Sequence, residues 1–495
     1  MTDQPAGEAK ASAADTPEKD DTKPEPIDQL VETSHVLDLP GGELAYTART
    51  GRVVLREEVY EHDVFTGWKP RAEMAVTAYT LDGGDVTERP VCFVFNGGPG
   101  SASVWLHLGL LGPRRVDMGD VGDLVPPPYG MVDNAETLLR DADLVFIDPM
   151  STGHTRAVEG GKAKDYHGFG KDVEQVAELI RLWCTREDRW MSPKYLIGES
   201  YGTIRAVAVA ERLWSTHMMA FNGLVLVSSV LDFGSQDFTY HRSDEACANF
   251  LPTYAAIAHF HGRHEGRSLT EVVTEAQEYA VDRYRWALGQ GARLTAEERQ
   301  GVVATVARLT GLSEAYVDRA DLRIEHVRFC TELLRDRGLA VGRIDGRFTG
   351  PLHFGNAETW DADPSIDAIV GPYAAVMHHY LRAELGSDLD LPYEVFANQV
   401  KEWSYQEFEG RPINVSDKLE RLMRANPHLR VRVEYGYYDL ATPFGAAQDM
   451  VAHLRLTPEQ RERIEHDWFE TGHMPYLHAA SRVREAEGIA AFVRG

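Results

Sequence analysis

The chain has 495 residues, of which 43% are hydrophobic and 26% charged, a composition typical of a globular protein with a substantial core. Its 51 basic and 77 acidic side chains give a net charge of −26. This charge argues against nucleic acid or an anionic membrane as partner, because phosphate groups are bound by clustered Lys and Arg. The length fits several folding units or one large domain that carries an insertion.

The N-terminal residues 1–28 are rich in Ala, Asp, Glu, Lys, Pro and Thr, and they are predicted to be a disordered tail. They contain no apolar h-region of a secretory signal, and no run of about 18 apolar residues occurs, so we expect a cytoplasmic protein without a membrane span. The four cysteines form no CxxC pair, which disfavours a disulfide framework or a structural zinc site. We expect Cys92, Cys184, Cys247 and Cys330 to be mostly buried thiols.

The next segments predict strands of two kinds. Residues 34–80 alternate polar and apolar side chains, as in 43–47 and 74–80, which indicates short antiparallel strands with turns such as Asp82-Gly-Gly. Apolar runs that indicate strands buried on both faces follow at 91–95, 143–147, 195–197, 223–227, 431–435 and 464–469. Helical patterns lie between several of these runs, for example at 171–184 and 205–213. This alternation predicts an α/β fold with a mostly parallel sheet.

One interval interrupts the alternation. Residues 233–365 contain charged helical segments, such as 271–288 and 313–339, and no clear buried strand. Their position predicts a helical cap inserted into the sheet domain. The chain is therefore divided into a tail at 1–28, a first core part at 29–232, the cap at 233–365 and a second core part at 366–495.

The sequence Gly198-Glu-Ser-Tyr-Gly is a G-x-S-x-G pattern between a predicted strand and a predicted helix. A strand that turns sharply into a helix there exposes the hydroxyl of Ser200, and the glycines leave room for the crowded backbone. The first backbone N–H groups of the helix, beginning at Tyr201, would point toward a developing oxyanion. Ser200 is thus the candidate nucleophile.

A serine hydroxyl needs a neighbouring base, and in this arrangement the acid and the histidine follow the serine along the chain. Asp439 lies just past the predicted strand 431–435, and His473 lies just past the last predicted strand. Both positions are carboxyl ends of strands, where α/β sheets place their chemistry. Asp439 and His473 are therefore the predicted acid and base, although a turn-forming Asp and a surface His are the simpler alternatives.

A glycine-rich loop, Asn96-Gly-Gly-Pro-Gly-Ser, directly follows the first buried run and lets the backbone approach a ligand closely. It lacks the Lys-Ser/Thr ending of a phosphate-binding loop. Together with Gly198-Glu-Ser-Tyr-Gly, Gly436-Tyr-Tyr-Asp, Gly472-His-Met and the loop that begins at Asp148, it resembles the serine carboxypeptidase family. The motifs occur in that family's order, and the chain looks closest to bacterial members without secretion signals.

The resemblance implies an α/β-hydrolase fold with a helical cap and no cofactor or metal. It implies that Ser200 attacks, that His473 acts as general base and then acid, and that Asp439 orients the imidazole. The backbone N–H groups of Gly98 and Tyr201 would form the oxyanion hole. The implied function is a serine-type carboxypeptidase that releases C-terminal amino acids from peptides.

The resemblance also implies a grip on the substrate's terminal carboxylate by Asn96, Gly97 and Glu199. A carboxylate at Glu199 would repel the substrate unless a proton were shared between them. The family usually has a second glutamic acid two residues before a Gly-Pro, and this chain has Leu110 there. Strict exopeptidase action and a strongly acid pH optimum are therefore in doubt. The family's cysteine in the glycine-rich motif is replaced by Ser101, so its disulfides are not expected.

Three functions compete at this stage. The first is a carboxypeptidase acting on peptide substrates. The second is an esterase or acyltransferase that uses the same triad and the same acyl-enzyme, which Leu110 favours. The third is a non-catalytic binding protein, which the complete triad disfavours. The oligomeric state, the preferred substrate side chain and the residues of the cap that line the pocket are left open.

Overall fold

The computed structural model of the protein describes residues 25–119, 125–239, 244–400 and 402–495. A disordered tail is predicted for residues 1–28. Residues 1–24 of it lie outside the described part of the chain, so the disorder stays a prediction. The described chain is built around one large sheet with helices on both faces.

The strands form this large sheet and two small separate pairs. In chain order they are β1 (Gln29–Leu39), β2 (Gly42–Glu61), β3 (Val64–Leu81), β4 (Val91–Phe95), β5 (Arg114–Asp117), β6 (Gly130–Asp133), β7 (Asp143–Ile147), β8 (Arg156–Ala157), β9 (Lys194–Glu199), β10 (Gly223–Val227), β11 (Leu339–Val341), β12 (Thr349–Pro351), β13 (Arg430–Gly436) and β14 (Ile464–Phe469). The small pairs are β5 with β6 and β11 with β12.

The large sheet has the strand order β1-β2-β3-β7-β4-β9-β10-β13-β14, and β8 pairs with β3. The six strands from β7 to β14 in this order are mutually parallel. They coincide with the six apolar runs of the sequence, and β4, β7, β9 and β10 are buried along their whole length. The predicted α/β fold with a mostly parallel sheet is confirmed.

The antiparallel edge of the sheet consists of β1, β2 and β3. The antiparallel pairing is as predicted, but the expectation of short strands is wrong, because β2 has 20 residues and β3 has 18. The chain passes through irregular register shifts between Leu55 and Arg56 and between Val59 and Tyr60. Such bulges let a long strand bend and twist without ending, and alternation alone does not reveal them.

The helices cover both faces of the sheet. They are α1 (Val104–Leu106), α2 (Phe169–Arg186), α3 (Tyr201–His217), α4 (Asp244–Phe260), α5 (Leu269–Tyr279), α6 (Arg285–Gln290), α7 (Ala296–Thr310), α8 (Glu314–Arg319), α9 (His326–Glu332), α10 (Pro364–Ala383), α11 (Ser416–Ala425), α12 (Phe444–His453), α13 (Pro458–Arg461) and α14 (Ala479–Arg494). One core cluster joins α2 and α3 to the sheet, and a second joins α10 and α14 to it. Neighbouring side chains of one strand therefore enter different cores, as Leu196 and Ile197 of β9 do.

Residues 228–429 connect the adjacent parallel strands β10 and β13 and contain α4 to α11. The segment predicted as helical at 271–288 is helical, since a π-turn at Ala280–Tyr284 joins α5 to α6. The segment 313–339 is different: it contains the short helices α8 and α9 and a 3₁₀ turn at Arg335–Arg337, and its last residue opens the strand pair β11–β12. The proposed division of the chain at 233 and 365 stays a prediction.

The four cysteines are buried free thiols, as predicted. No helix in the described part of the chain is long and apolar enough to cross a membrane.

Candidate active site

Ser200 stands at the turn between β9 and α3, with a left-handed φ of 61° and a ψ of −131°. Such a backbone conformation costs a non-glycine residue about 1–3 kcal/mol and persists only where the surroundings enforce it. The flanking glycines allow the turn, because a Cβ atom on Gly198 would lie 2.2 Å from the carbonyl oxygen of Gly202. Ser200 is partly exposed at this turn, as a nucleophile must be.

Asp439 and His473 are in direct contact, with 2.7 Å between the Asp439 Oδ2 and His473 Nδ1 atoms. The Asp439 carboxylate also accepts hydrogen bonds from the backbone N–H groups of Ala441 and Thr442 and from the Thr442 hydroxyl, at 2.7, 3.0 and 2.6 Å. Since the Asp439 oxygens act as acceptors in this network, His473 donates from Nδ1, and its Nε2 is left as a proton acceptor.

The His473 imidazole is 5% exposed. Burial lowers the pKa of His473, but the Asp439 carboxylate and, more weakly, Glu199 raise it by a larger amount. The pKa of His473 therefore lies above the usual value of 6.5. A histidine stabilised as a cation in this way is suited to hold the proton of a serine hydroxyl during acyl transfer.

The segment at the end of β10 links the serine to the histidine. The backbone N–H of Ser200 donates to the Val227 carbonyl oxygen at 3.0 Å, and the hydroxyl of the next residue, Ser228, donates to the His473 carbonyl oxygen at 2.6 Å. The structure therefore brings Ser200, Asp439 and His473 to the same carboxyl edge of the parallel sheet. Their catalytic roles stay predictions.

The glycine-rich loop after β4 packs against the start of α3. A Cβ atom on Gly97 would lie 2.5 Å from the Tyr201 backbone nitrogen and 2.8 Å from the Glu199 carbonyl oxygen. Gly98 has a φ of 105°, which favours glycine, and the Gly98–Pro99 peptide bond is cis. The backbone of the loop thus lies beside the first N–H group of the helix, where the oxyanion hole is predicted.

A buried ion pair that the sequence did not reveal holds this loop in place. The guanidinium group of Arg205 donates to the carbonyl oxygens of Asn96 and Pro99, and it pairs with Asp172 at 2.8 Å. Both charged side chains are 0% exposed. A planar guanidinium group that bonds three acceptors fixes the loop backbone relative to α3.

Glu199 lies directly before the serine, and its carboxyl group is buried between two donors. Asn96 Nδ2 donates to Oε1 at 2.9 Å, and the Tyr476 hydroxyl donates to Oε2 at 2.6 Å. Burial raises the pKa of Glu199 to about 7, against the opposing influence of His473 and the two hydrogen bonds. The predicted carboxylate-binding residues Asn96, Gly97 and Glu199 are thus brought together, and Tyr476 joins them without having been predicted.

The comparisons with known proteins agree with this geometry. No protein-family profile matches the chain. A pheromone-processing carboxypeptidase, KEX1 of Yarrowia lipolytica, is 26% identical over 158 residues, which cover 31% of this chain. This match spans about a quarter of the length of that curated relative, 24%. The crystal structure of the prohormone-processing carboxypeptidase KEX1(Δ)P of Saccharomyces cerevisiae superposes with a TM-score of 0.55 at 15% identity, covering 91% of both chains.

The chain has the α/β-hydrolase fold. The predicted resemblance of the chain to serine carboxypeptidases is confirmed, since the sequence relative and the solved structure are both carboxypeptidases. A proline iminopeptidase of Mycobacterium smegmatis is also similar, with a TM-score of 0.34 and 13% identity over 89% of this chain and 98% of its own.

Further residues complete the surroundings of the site. Asp148 accepts hydrogen bonds from the backbone and hydroxyl of Ser103, at 2.8 and 2.7 Å, and so anchors the segment after the glycine-rich loop. Leu110 is fully buried, and its aliphatic side chain supplies no second carboxyl group. Among the residues that the structure describes, no group of three or more His, Cys, Asp or Glu side chains is arranged to hold a metal ion.

Proposed function

We propose that the protein is a serine hydrolase, and more specifically a serine-type carboxypeptidase that releases C-terminal amino acids from peptides. The observation that carries the proposal is the buried carboxyl group of Glu199 beside Ser200, held by Asn96 and Tyr476 and with a pKa of about 7. A substrate carboxylate only accepts hydrogen bonds, so its binding site must supply donors. The net charge of −26 repels such an anion, which makes local donors more important. Near neutral pH a large share of the molecules carry a proton on Glu199, so that it donates to a carboxylate instead of repelling it.

The proposed reaction proceeds through an acyl-enzyme. His473 Nε2 takes the hydroxyl proton of Ser200 as its oxygen attacks the last peptide carbonyl, and the imidazolium is stabilised by Asp439. The negative charge on the former carbonyl oxygen is met by the backbone N–H groups of Gly98 and Tyr201. His473 then gives its proton to the leaving amino group. Water, deprotonated by His473, hydrolyses the ester and frees Ser200.

The esterase or acyltransferase alternative keeps a specific observation in its favour. Leu110 occupies the position of the second glutamic acid and is 0% exposed. An apolar residue there weakens the case for a charged substrate end, and the triad serves esters equally well.

The experiment that separates the two functions is mass spectrometry of an N-blocked peptide incubated with the purified protein. The same peptide with a C-terminal amide and the Ser200→Ala variant are the controls. Stepwise loss of C-terminal residues, abolished in the variant and slowed by the amide, supports the carboxypeptidase. If the peptide stays intact while Ser200 still reacts with a fluorophosphonate, the acyl-transfer machinery works on another substrate class, and the carboxypeptidase proposal fails.

A further inference from the structure

We propose that Tyr476 is a specificity-determining residue: its hydroxyl occupies one lone pair of Glu199, so that the acid proton of Glu199 is directed at the substrate carboxylate. This inference rests on the proposed carboxypeptidase function and deepens it. In this inference, Tyr476, which follows His473 closely along the chain, takes the role of the second glutamic acid.

The position of Tyr476 is closely defined. It lies in the turn Pro475–Leu477, just after His473, and it is 2% exposed. Its hydroxyl donates to Glu199 Oε2 at 2.6 Å, which is a short O–H···O hydrogen bond. The predicted base, His473, and the tyrosine that contacts Glu199, Tyr476, therefore belong to one short segment of chain.

The space for the ring is created by a glycine. A Cβ atom on Gly109 would lie 2.5 Å from the Cδ2 and Cε2 atoms of Tyr476 and 2.7 Å from the Tyr373 hydroxyl oxygen. Gly109 and Leu110 form part of the π-turn His107–Leu111, the segment in which the second glutamic acid was expected. The two tyrosine rings thus lie over that turn, and Leu110 completes the apolar packing in the same core cluster as Tyr476.

The hydrogen-bond directions determine where the proton of Glu199 points. Asn96 Nδ2 can only donate, and it occupies Oε1; the Tyr476 hydroxyl occupies Oε2 as donor. While the Tyr476 hydroxyl donates to Oε2, both contacts are supplied by donors, and a proton on Glu199 needs a third group as its acceptor. A substrate carboxylate is such an acceptor, and the bound pair then shares one proton and carries one negative charge.

A tyrosine also differs from a glutamic acid in the pH range over which it donates a hydrogen bond. A carboxylic acid keeps its proton only in acid, whereas a phenol keeps it up to about pH 10, and burial raises the pKa of Tyr476 further. Tyr476 therefore donates throughout the neutral range. Carboxylate recognition in this chain depends on one titrating group, Glu199, instead of two.

The test is Tyr476→Phe, which keeps the ring and removes the donor. Without this hydrogen bond the charged form of Glu199 loses a stabilising partner, so the alkaline fall of kcat/KM on a peptide with a free carboxylate moves to higher pH, by about one pH unit. The KM for this peptide rises about 3- to 10-fold, and kcat changes less than about twofold. Turnover of a simple ester stays the same.

The matched control is Tyr195→Phe, which removes another buried hydroxyl, one bonded to the Val493 carbonyl oxygen at 3.0 Å, away from the site. This control leaves the pH profile and KM unchanged. A purely structural role of Tyr476 would lower kcat or the stability of Tyr476→Phe without moving the alkaline limb, and this result would overturn the inference.

A binding experiment separates this inference from the proposed function. A set of N-acetyl amino acids and their amides is tested for protecting Ser200 from fluorophosphonate labelling. Protection of the wild-type protein by the acids alone, weakened about 3- to 10-fold in Tyr476→Phe, supports the inference. If the acids protect both proteins equally, the role of Tyr476 is refuted and the carboxypeptidase stands. If no acid protects the wild-type protein, both proposals fail.

Discussion

Glu199 and Glu485 are both buried carboxyl groups, but their surroundings differ. Each oxygen of Glu199 accepts a hydrogen bond, one from Asn96 and one from Tyr476. Glu485, on α14, is 0% exposed, and neither of its oxygens receives a hydrogen bond from a donor group among the described residues. Burial raises the pKa of Glu485 well above the usual range, and the charges of the neighbouring Glu434 and, more weakly, of Glu199 add to this effect.

The difference shows that burial and a raised pKa do not by themselves mark a functional carboxyl group. Both glutamic acids hold a proton more tightly than usual, because a charge is costly away from water. At Glu485 the proton faces a second buried acid, which is held by Arg432 at 2.6 Å. At Glu199 two donors occupy the oxygens beside the reactive serine, and the proton is left for an incoming ligand.

The largest effect that tests this contrast is expected from Asp439→Asn compared with Glu485→Gln. The asparagine disturbs the hydrogen bond that holds the tautomer of His473, so we expect kcat on an ester substrate to fall by about 10⁴-fold. Glu485→Gln keeps a neutral group of the same shape, and we expect kcat within about twofold of the wild-type value. A comparable loss in both variants would mean that the buried acid pair belongs to the catalytic machinery.

The second effect concerns the pH profile. In the wild-type protein, kcat/KM for a free-carboxylate peptide falls in acid as His473 is protonated and in alkali as Glu199 loses its proton near pH 7. In Glu199→Gln the amide donates at every pH, so the alkaline fall of kcat/KM disappears. Relative to its own value in the neutral range, kcat/KM of the variant is then about tenfold higher than that of the wild-type protein at about one pH unit above 7. The acid limb moves to lower pH, because one negative charge beside His473 is lost.

Steady-state kinetics from about pH 5 to about pH 9, with Glu485→Gln as control, measure both limbs. An alkaline limb that survives in Glu199→Gln would assign it to another group. A wild-type optimum well below about pH 5 would contradict the account, since it would require ordinary carboxyl pKa values at the site.

The smallest effect is on stability. Glu199 has a pKa of about 7 in the folded protein against 4.5 for the ordinary group, so its contribution to stability is complete below about 4.5 and is lost as the pH rises to about 7. Glu199→Gln removes this loss, which amounts to about 3 kcal/mol at most. Denaturant unfolding at several pH values checks this.

Glu485→Gln is expected to reduce the same pH dependence, because the pKa of Glu485 is raised in the same direction. The two variants would then agree in stability and differ in kinetics. An unfolding free energy of Glu199→Gln that falls with pH as steeply as in the wild-type protein would show that Glu199 ionises in the folded state as it does in the unfolded chain.

The sequence was sufficient for the parallel strands and for the placement of the triad candidates. Five of the six apolar runs are buried along their whole length, which leaves few other interpretations. The expectation of burial on both faces is wrong for 464–469, because this run forms the edge strand β14 and exposes His466. Parallel strands bring their carboxyl ends to one edge. Asp439 and His473 could therefore be expected near each other, and they lie 2.7 Å apart.

The partners of Glu199 and of the glycine-rich loop could be predicted only in part. Asn96 followed from a motif, but Tyr476 is 277 residues from Glu199 along the chain, and only the packing over Gly109 brings it there. Arg205 is similar: on the sequence it belongs to an ordinary helix, and its burial against Asp172 depends on the neighbouring helix. Such long-range polar contacts leave no periodic signal.

The most direct test of the central claim compares kcat/KM for one N-blocked peptide as free acid and as C-terminal amide, at about pH 6 and about pH 8, in the wild-type protein and in Glu199→Gln. We predict that the wild-type protein prefers the acid by about 10- to 100-fold at the lower pH and loses most of this preference at the higher pH, while the variant keeps a preference that does not change with pH. Equal turnover of acid and amide at both pH values would contradict the account, because Glu199 would then recognise no carboxylate.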